Sequence, residues 1–264
     1  MPPARYIVPN AVTVLGLAFG LAAIAAAHQA RYVDAAWLIV WAVFVDKLDG
    51  MIARKMNATS AFGTQLDSLA DLLDFGLAPA FLVWTALSNT PELGFDRGAG
   101  KWLLAAAAAM WVFGAALRLA RFNVMAEAPA NVKVFLGVPT TLCAGLLAIW
   151  MLVVLKYLEP GAPLAAAEAF REPHLFDWRL SGAAWSWVLM ALLLGGPLMV
   201  SNLRMRKLGL TKIRVFDILM VVGVLTGYAS GFARVFPEYM AWWPTTWLLV
   251  FAVLGQVSTR ARAT

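Results

Sequence analysis

Apolar residues run through this chain in long unbroken blocks, and polar residues collect between the blocks. Eight blocks approach or reach the roughly 20 residues that an α-helix needs to cross a hydrocarbon core of about 30 Å. They cover residues 8–27, 34–54, 65–88, 101–122, 134–156, 183–201, 215–234 and 243–259. The pattern predicts an all-α fold: a polytopic integral membrane bundle of about eight transmembrane helices, forming a single membrane domain over 1–264. Composition agrees, with 62% hydrophobic and 14% charged residues and a mean hydropathy of +0.74. A soluble domain carries about 25% charged residues.

Loop charges orient the bundle. With the N-terminus inside, fourteen Lys and Arg fall on its side of the predicted bundle and seven on the other. The densest group, Arg204, Arg206, Lys207, Lys212 and Arg214, fills one short connection. The excess places both termini in the cytoplasm. The net charge of +6 is then explained by topology and anionic headgroups, so no nucleic acid is expected as a partner. The first block is read as a retained span and not a cleaved leader, because Pro9, Asn10 and Thr13 place polar groups at its head.

Several residue types narrow the chemistry. Cys143 stands alone, which excludes an internal disulfide and any cysteine-cluster metal site, and it is expected as a small core residue. His28 and His174 fall in predicted loops, read as surface positions, so no His-based triad is available. Residues 157–182 form the longest connection, expected outside the cytoplasm with an interfacial helix. Trp178, Trp185, Trp187, Trp242, Trp243 and Trp247 lie near predicted span ends, where indoles favour the headgroup zone. No internal repeat supports an inverted-repeat transporter.

The apolar pattern is broken most sharply between residues 46 and 71. The run reads Asp46-Lys-Leu-Asp49-Gly50-Met-Ile-Ala53-Arg54, then eight residues, Gly63, three residues, Asp67, three residues, Asp71. Spacings of three and four put each pair of acids on one side of a helix, so two helices can aim four carboxylates at one point. Such a cluster in or near a bilayer needs bound metal, shared protons or an open water path. Gly50 lacks a side chain and Ala53 keeps the same face shallow, leaving room for a bulky ligand group. Arg54 offers a planar fork suited to phosphate. Residues 55–62 read as a polar turn, and Gly63 permits close approach at the start of the next helix. Acids, a small-residue gap and an arginine together suit a metal-bound diphosphate.

The pattern Asp-x2-Asp-Gly-x2-Ala-Arg-x8-Gly-x3-Asp-x3-Asp resembles the signature of the CDP-alcohol phosphotransferases, with every fixed position present. The resemblance implies that Asp46, Asp49, Asp67 and Asp71 hold two divalent cations, Mg²⁺ or Mn²⁺, on the diphosphate of a CDP-linked substrate. An alcohol would attack phosphorus and release CMP, with Asp71 as the general base. Gly50, Ala53 and Arg54 would accommodate the cytidine and its phosphates, joined by Asn10, Thr13 and Gly63.

Finer features resemble the phosphatidylserine synthase branch. Asp67-Ser68-Leu69-Ala70-Asp71 followed by Phe75-Gly76-Leu77-Ala78-Pro79-Ala80 is similar to that branch, as are Pro9-Asn10-x2-Thr13, the run 117–123, Phe135-x-Gly137-x-Pro139 and 198–201. The implied reaction transfers the phosphatidyl group of CDP-diacylglycerol to L-serine. Arg118, Arg121 and Asn123 are then expected near the serine carboxylate or lipid phosphate, although arginines at a span end also serve as headgroup anchors. Asp74 departs from the pattern, which has Ser or another small residue there. Seven residues after Asp67, it shares that helical face and is expected near the alcohol pocket. The resemblance divides the chain into a 1–201 core and a 202–264 extension, a basic cytoplasmic loop plus two further spans. It implies a homodimer in a prokaryotic cytoplasmic membrane, with the active site facing the cytoplasm. Glycerol 3-phosphate, an inositol phosphate or choline remain as other acceptors, and ether-linked tails as an alternative to acyl. A membrane ion transporter also places acids in spans, but explains neither Gly50-x2-Ala53-Arg54 nor the fixed offsets.

Overall fold

The computed structural model describes residues 7–56, 60–126, 136–203 and 214–260. Regular structure among them is helical: α1 (Ile7–His28), α2 (Tyr32–Lys55), α3 (Ala61–Asp71), a π-helical turn (Leu72–Leu77), α4 (Ala78–Ser88), α5 (Gly98–Ala126), α6 (Thr140–Tyr157), α7 (Ala184–Val200), α8 (Arg214–Ala233) and α9 (Pro237–Arg260). Each predicted block coincides with a helical segment, the third with the continuous run from α3 through α4. Among the described residues, four segments are long and apolar enough to cross a membrane: α1, the α3–α4 run, residues Gly98–Met125 of α5, and α6. Helix α7 and residues Asp217–Ala233 of α8 are shorter apolar helices. Helix α2 is long but carries Asp34, Asp46, Lys47 and Asp49. The chain ends and the basic cluster around 204–213, on which the orientation rests, lie outside the described residues.

Two boundaries differ from the hydropathy reading for local reasons. The fifth block begins at 134, but α6 starts at Thr140. Gly137 adopts φ +74°, its N–H donates to Leu203 O at 2.8 Å, and Pro139 precedes the first helical residue. A Cβ on Gly137 would stand 2.1 Å from Met199 O, so only glycine lets this segment lie against the end of α7. The last block begins at 243, yet α9 starts at Pro237, a favourable first-turn position, and continues through Pro244.

Small residues and one largely buried helix hold the bundle together. Helix α6 is buried along most of its length and packs on α2, α7 and α9. Helices α5 and α7 meet where the backbones touch: a Cβ on Gly114 would lie 2.5 Å from Gly196 Cα, and Gly195 seats the Trp111 ring. Van der Waals packing of this kind, more than apolar burial, drives helix association in lipid.

The connection between α6 and α7 departs most from expectation. It contains a single 3₁₀ turn, Ala167–Ala169, and folds back over a buried charge cluster. Lys156, fully buried, donates to Glu172 at 3.0 Å and Glu238 at 2.8 Å. The Tyr157 hydroxyl donates to Glu238 at 2.7 Å. His174 Nε2 lies 3.0 Å from Lys156 O and its ring stands edge-on to Tyr157, so it is a packing residue, whereas His28 is exposed. Trp185 is likewise buried, its indole N–H on Pro163 O, and not at a headgroup surface. Cys143 packs against the core as expected.

Removing Lys156 leaves two carboxylates in an apolar pocket without a cation. Lys156→Met is expected to destabilise the protein by about 3–5 kcal/mol, read as loss of thermal stability in detergent. Adding Glu172→Gln and Glu238→Gln should recover part of it. A single variant as stable as the parent would show that the ion pairs are not needed.

Candidate active site

Four elements assemble the acid cluster. Helix α2 supplies Asp46 and Asp49 near its C-terminal end, and α3 supplies Asp67 and Asp71. The start of α3 is fixed by Ser60, whose hydroxyl accepts the Gly63 N–H at 3.0 Å. This places Asp67 two turns further on, opposite α2. Carboxylate oxygens of Asp46, Asp49 and Asp67 lie within 4.8 Å of one another. Asp71 and Thr141 of α6 both lie beside Asp46. Thr13 of α1 donates to Asp49 Oδ2 at 3.0 Å and reaches Pro9 O at 3.2 Å.

The donor set suits a hard cation. Three carboxylate oxygens this close can share one ion, whose oxygen ligands lie about 2.0–2.6 Å away. The cluster's ion pairing among the described residues is Lys47 Nζ at 4.0 Å from Asp46, on a side chain 57% exposed. Such a contact contributes little. Among the described residues little on the chain offsets the cluster's negative charge, which suits a bound cation.

Other sequence candidates divide by location. Asn10, Thr13 and Gly63 come together with the acids: a Cβ on Gly63 would sit 3.1 Å from Asn10 Oδ1, so glycine there leaves room for the α1 side chain. Gly50 follows Asp49 in α2 and is half-buried. Ala53 and Arg54 continue α2, but their side chains lie outside the described residues. Arg118, buried, donates through Nε to Val138 O at 2.7 Å. Arg121 donates to Val200 O at 3.1 Å and Asn202 Oδ1 at 3.0 Å. Asn123 donates to Ser68 Oγ at 2.9 Å. These three therefore tie α5 to the segment before α6, to the end of α7 and to α3.

Asp74 lies in the π-helical turn and is only 3% exposed. It packs against α1, where a Cβ on Gly20 would fall 1.9 Å from its Oδ1, and that oxygen has no hydrogen-bond partner. It lies outside the trio of converging carboxylates. The π turn itself is braced by Trp111 of α5, whose indole N–H donates to Phe75 O at 3.0 Å. Sequence reasoning missed this turn and Thr141. Thr141 is adjacent to acids nearly a hundred residues earlier, and no local pattern marks it. Ser60, by contrast, sits three residues before Gly63 in an ordinary N-cap position.

Comparison with known proteins agrees with the geometry. The profile of the family described as CDP-alcohol phosphatidyltransferase matches residues 6–192. Proteins named CDP-diacylglycerol–serine O-phosphatidyltransferase are similar to this chain. The one from Helicobacter pylori is 30% identical over 200 residues, covering 75% of this chain and 71% of its own. That of Mycobacterium leprae is 30% identical over 242 residues, covering 90% and 70%. That of Methanocaldococcus jannaschii is 33% identical over 147 residues, covering 56% and 61%. Motif, converging acids and profile agree, and the chain belongs to the CDP-alcohol phosphatidyltransferase family.

Proposed function

We propose that the protein transfers the phosphatidyl group of CDP-diacylglycerol to the hydroxyl of L-serine, giving phosphatidylserine and CMP. The observation that carries this reading is the convergence of Asp46, Asp49 and Asp67 within 4.8 Å, at the spacing of the family motif. The names of the similar proteins supply the acceptor.

Asp46, Asp49, Asp67 and Asp71 are the residues that would hold two divalent cations, Mg²⁺ or Mn²⁺. Bound there, the ions supply Lewis-acid stabilisation of the diphosphate oxygens and of charge on the departing CMP. Asp71 takes the proton of the serine hydroxyl as its oxygen attacks the phosphorus bearing the diacylglycerol, and the bond from that phosphorus to CMP breaks. Thr13 orients Asp49 by the hydrogen bond it donates. Gly50, Ala53 and Arg54 accommodate the nucleotide and its phosphates, with Asn10 and Gly63 beside them. Arg118, Arg121, Asn123 and Asp74 are assigned to the serine and lipid-phosphate side. Lipid tails stay in apolar surroundings, which suits eight membrane-crossing helices, a homodimer in the cytoplasmic membrane, and a cytoplasmic site between α1, α2 and α3.

The reading is tested by incubating purified protein with CDP-diacylglycerol, Mg²⁺ or Mn²⁺ and a panel of alcohols, and measuring CMP. Serine is expected to support release, chelation to abolish it, and Asp71→Asn to lower it by about 10²–10⁴-fold. Release with glycerol 3-phosphate, an inositol phosphate or choline but not with serine would replace the acceptor. No release with any alcohol would remove the enzyme reading. A second experiment addresses Thr13. Thr13→Val should raise the metal concentration for half-maximal activity by about 10–100-fold, and Thr13→Ser should restore it. An unchanged metal requirement in Thr13→Val would remove Thr13 from the site.

A further inference from the structure

Helix α8 lies beyond the residues that the family profile matches, which end at 192, yet it brings a polar side chain toward the acids. Phe44 of α2 fixes its placement. The Phe44 ring stacks on Tyr228 with centroids 4.3 Å apart and 27° between the planes, and leans on Phe232 at 5.4 Å. A Cβ on Gly231 would overlap the same ring, so glycine there lets α8 close on it. Trp41, three residues earlier in α2, donates its indole N–H to Gly231 O at 2.9 Å. These contacts hold α8 in one register along residues 41–44, immediately before Asp46. In that register Tyr228 lies within electrostatic reach of Asp46, and its half-buried hydroxyl has no hydrogen-bond partner among the described residues. The neighbouring Thr226 hydroxyl, by contrast, is taken by Val222 O and the Tyr239 hydroxyl. Tyrosine hydroxyls in apolar surroundings normally find a partner.

We propose that Tyr228 is a further catalytic residue, whose hydroxyl donates a hydrogen bond to a non-bridging oxygen of the phosphate that carries the diacylglycerol. The inference rests on the reading of a CDP-diacylglycerol substrate given above. Phosphate oxygens only accept hydrogen bonds, and the carboxylates repel them, so a donor beside Asp46 is the complementary group. In the transition state of phosphoryl transfer, charge is spread over the non-bridging oxygens. A donor already aimed at one of them then acts where it stabilises the transition state most. Tyr228 keeps its proton throughout, and Asp71 remains the base.

Tyr228→Phe keeps the ring and its stack on Phe44 and removes the hydroxyl alone. The experiment follows CMP release from CDP-diacylglycerol with serine and Mn²⁺ in mixed micelles. In Tyr228→Phe, kcat is expected to fall by about 10–100-fold, the worth of one hydrogen bond to a charged group. The KM for serine, the Mn²⁺ concentration for half-maximal activity and the thermal stability should stay as in wild type. Tyr228→Leu serves if Tyr228→Phe does not fold. Thr226→Val, which removes another hydroxyl from the same helix, should leave kcat unchanged. If wild type turns over CDP-diacylglycerol and folded Tyr228→Phe matches its kcat, the assignment is overturned alone. A loss of kcat shared by Thr226→Val would put the hydroxyl's work in helix packing, and one that comes with a raised Mn²⁺ requirement would put it at the cations; either overturns the assignment too. Wild type that releases no CMP overturns it together with the functional reading.

Discussion

Everything around the site depends on gathering carboxylates inside an apolar bundle where, among the described residues, few protein cations balance them. Two short spacings, three residues in α2 and four in α3, make the gathering possible, but each helix has to be held in phase with the other. Ser60 fixes where α3 begins. Thr13 fixes Asp49 from α1, and Thr141 meets Asp46 from α6. The buried α6 therefore serves both as the central post of the bundle and as a wall of the reaction centre. Helix α5 braces the far end of the same run through Trp111 and Asn123. The bundle is built around a repulsion that a bound ligand has to relieve.

The second charged cluster shows the contrast. Around Lys156 a cation sits between two carboxylates, with Tyr157 and main-chain N–H groups donating to one oxygen of each. Its charges are met within the protein, and it pins the long connection after α6 onto α9. Both clusters place acids in apolar surroundings, so the presence of acids does not separate a site from a staple. What separates them, among the described residues, is the opposing charge: a buried lysine in one, and in the other an exposed lysine at 4.0 Å. The same physics that costs several kcal/mol for an unpaired buried ion thus marks the cluster at residues 46–71 as the one suited to a cation.

Helix positions were legible because a membrane imposes one length and one polarity on every crossing segment, and α1 through α9 fall on the blocks that hydropathy marks. The acid motif was legible because i, i+3 and i+4 spacings translate directly into a helix face. Other features depend on atoms distant in sequence. Hydropathy puts Lys156 at the last position of its fifth block, where a headgroup-facing cation is expected, while the structure buries it against Glu238, eighty-two residues away. The start of α6 is displaced to Thr140 because Gly137 has to fit beneath Met199, which no local pattern reveals. Arg118, Arg121 and Asn123 were marked by resemblance, and their contacts with Val138, Val200 and Ser68 show work in the fold that the motif could not express. The π turn is invisible because Leu72–Leu77 is as apolar as any α-helical stretch.

That turn also sets how Asp74 meets α1. In an uninterrupted α-helix Asp74 would follow Asp67 by two turns and share its face. The wider i→i+5 turn holds an extra residue, and Asp74 lies against α1, in space left by Gly16 and Gly20. The stripe Thr13-x2-Gly16-x3-Gly20 on α1 therefore performs two tasks along one face. At its upper end a hydroxyl holds Asp49; one and two turns later, missing side chains admit Asp74. A side chain at position 20 would overlap the Asp74 carboxylate, so α1 could not keep its present approach, and Thr13 would be carried away from Asp49. The shape of the residues at 20 and 74 thus bears on the geometry of the cation-binding acids through the rigid helix between them, without either residue touching a cation.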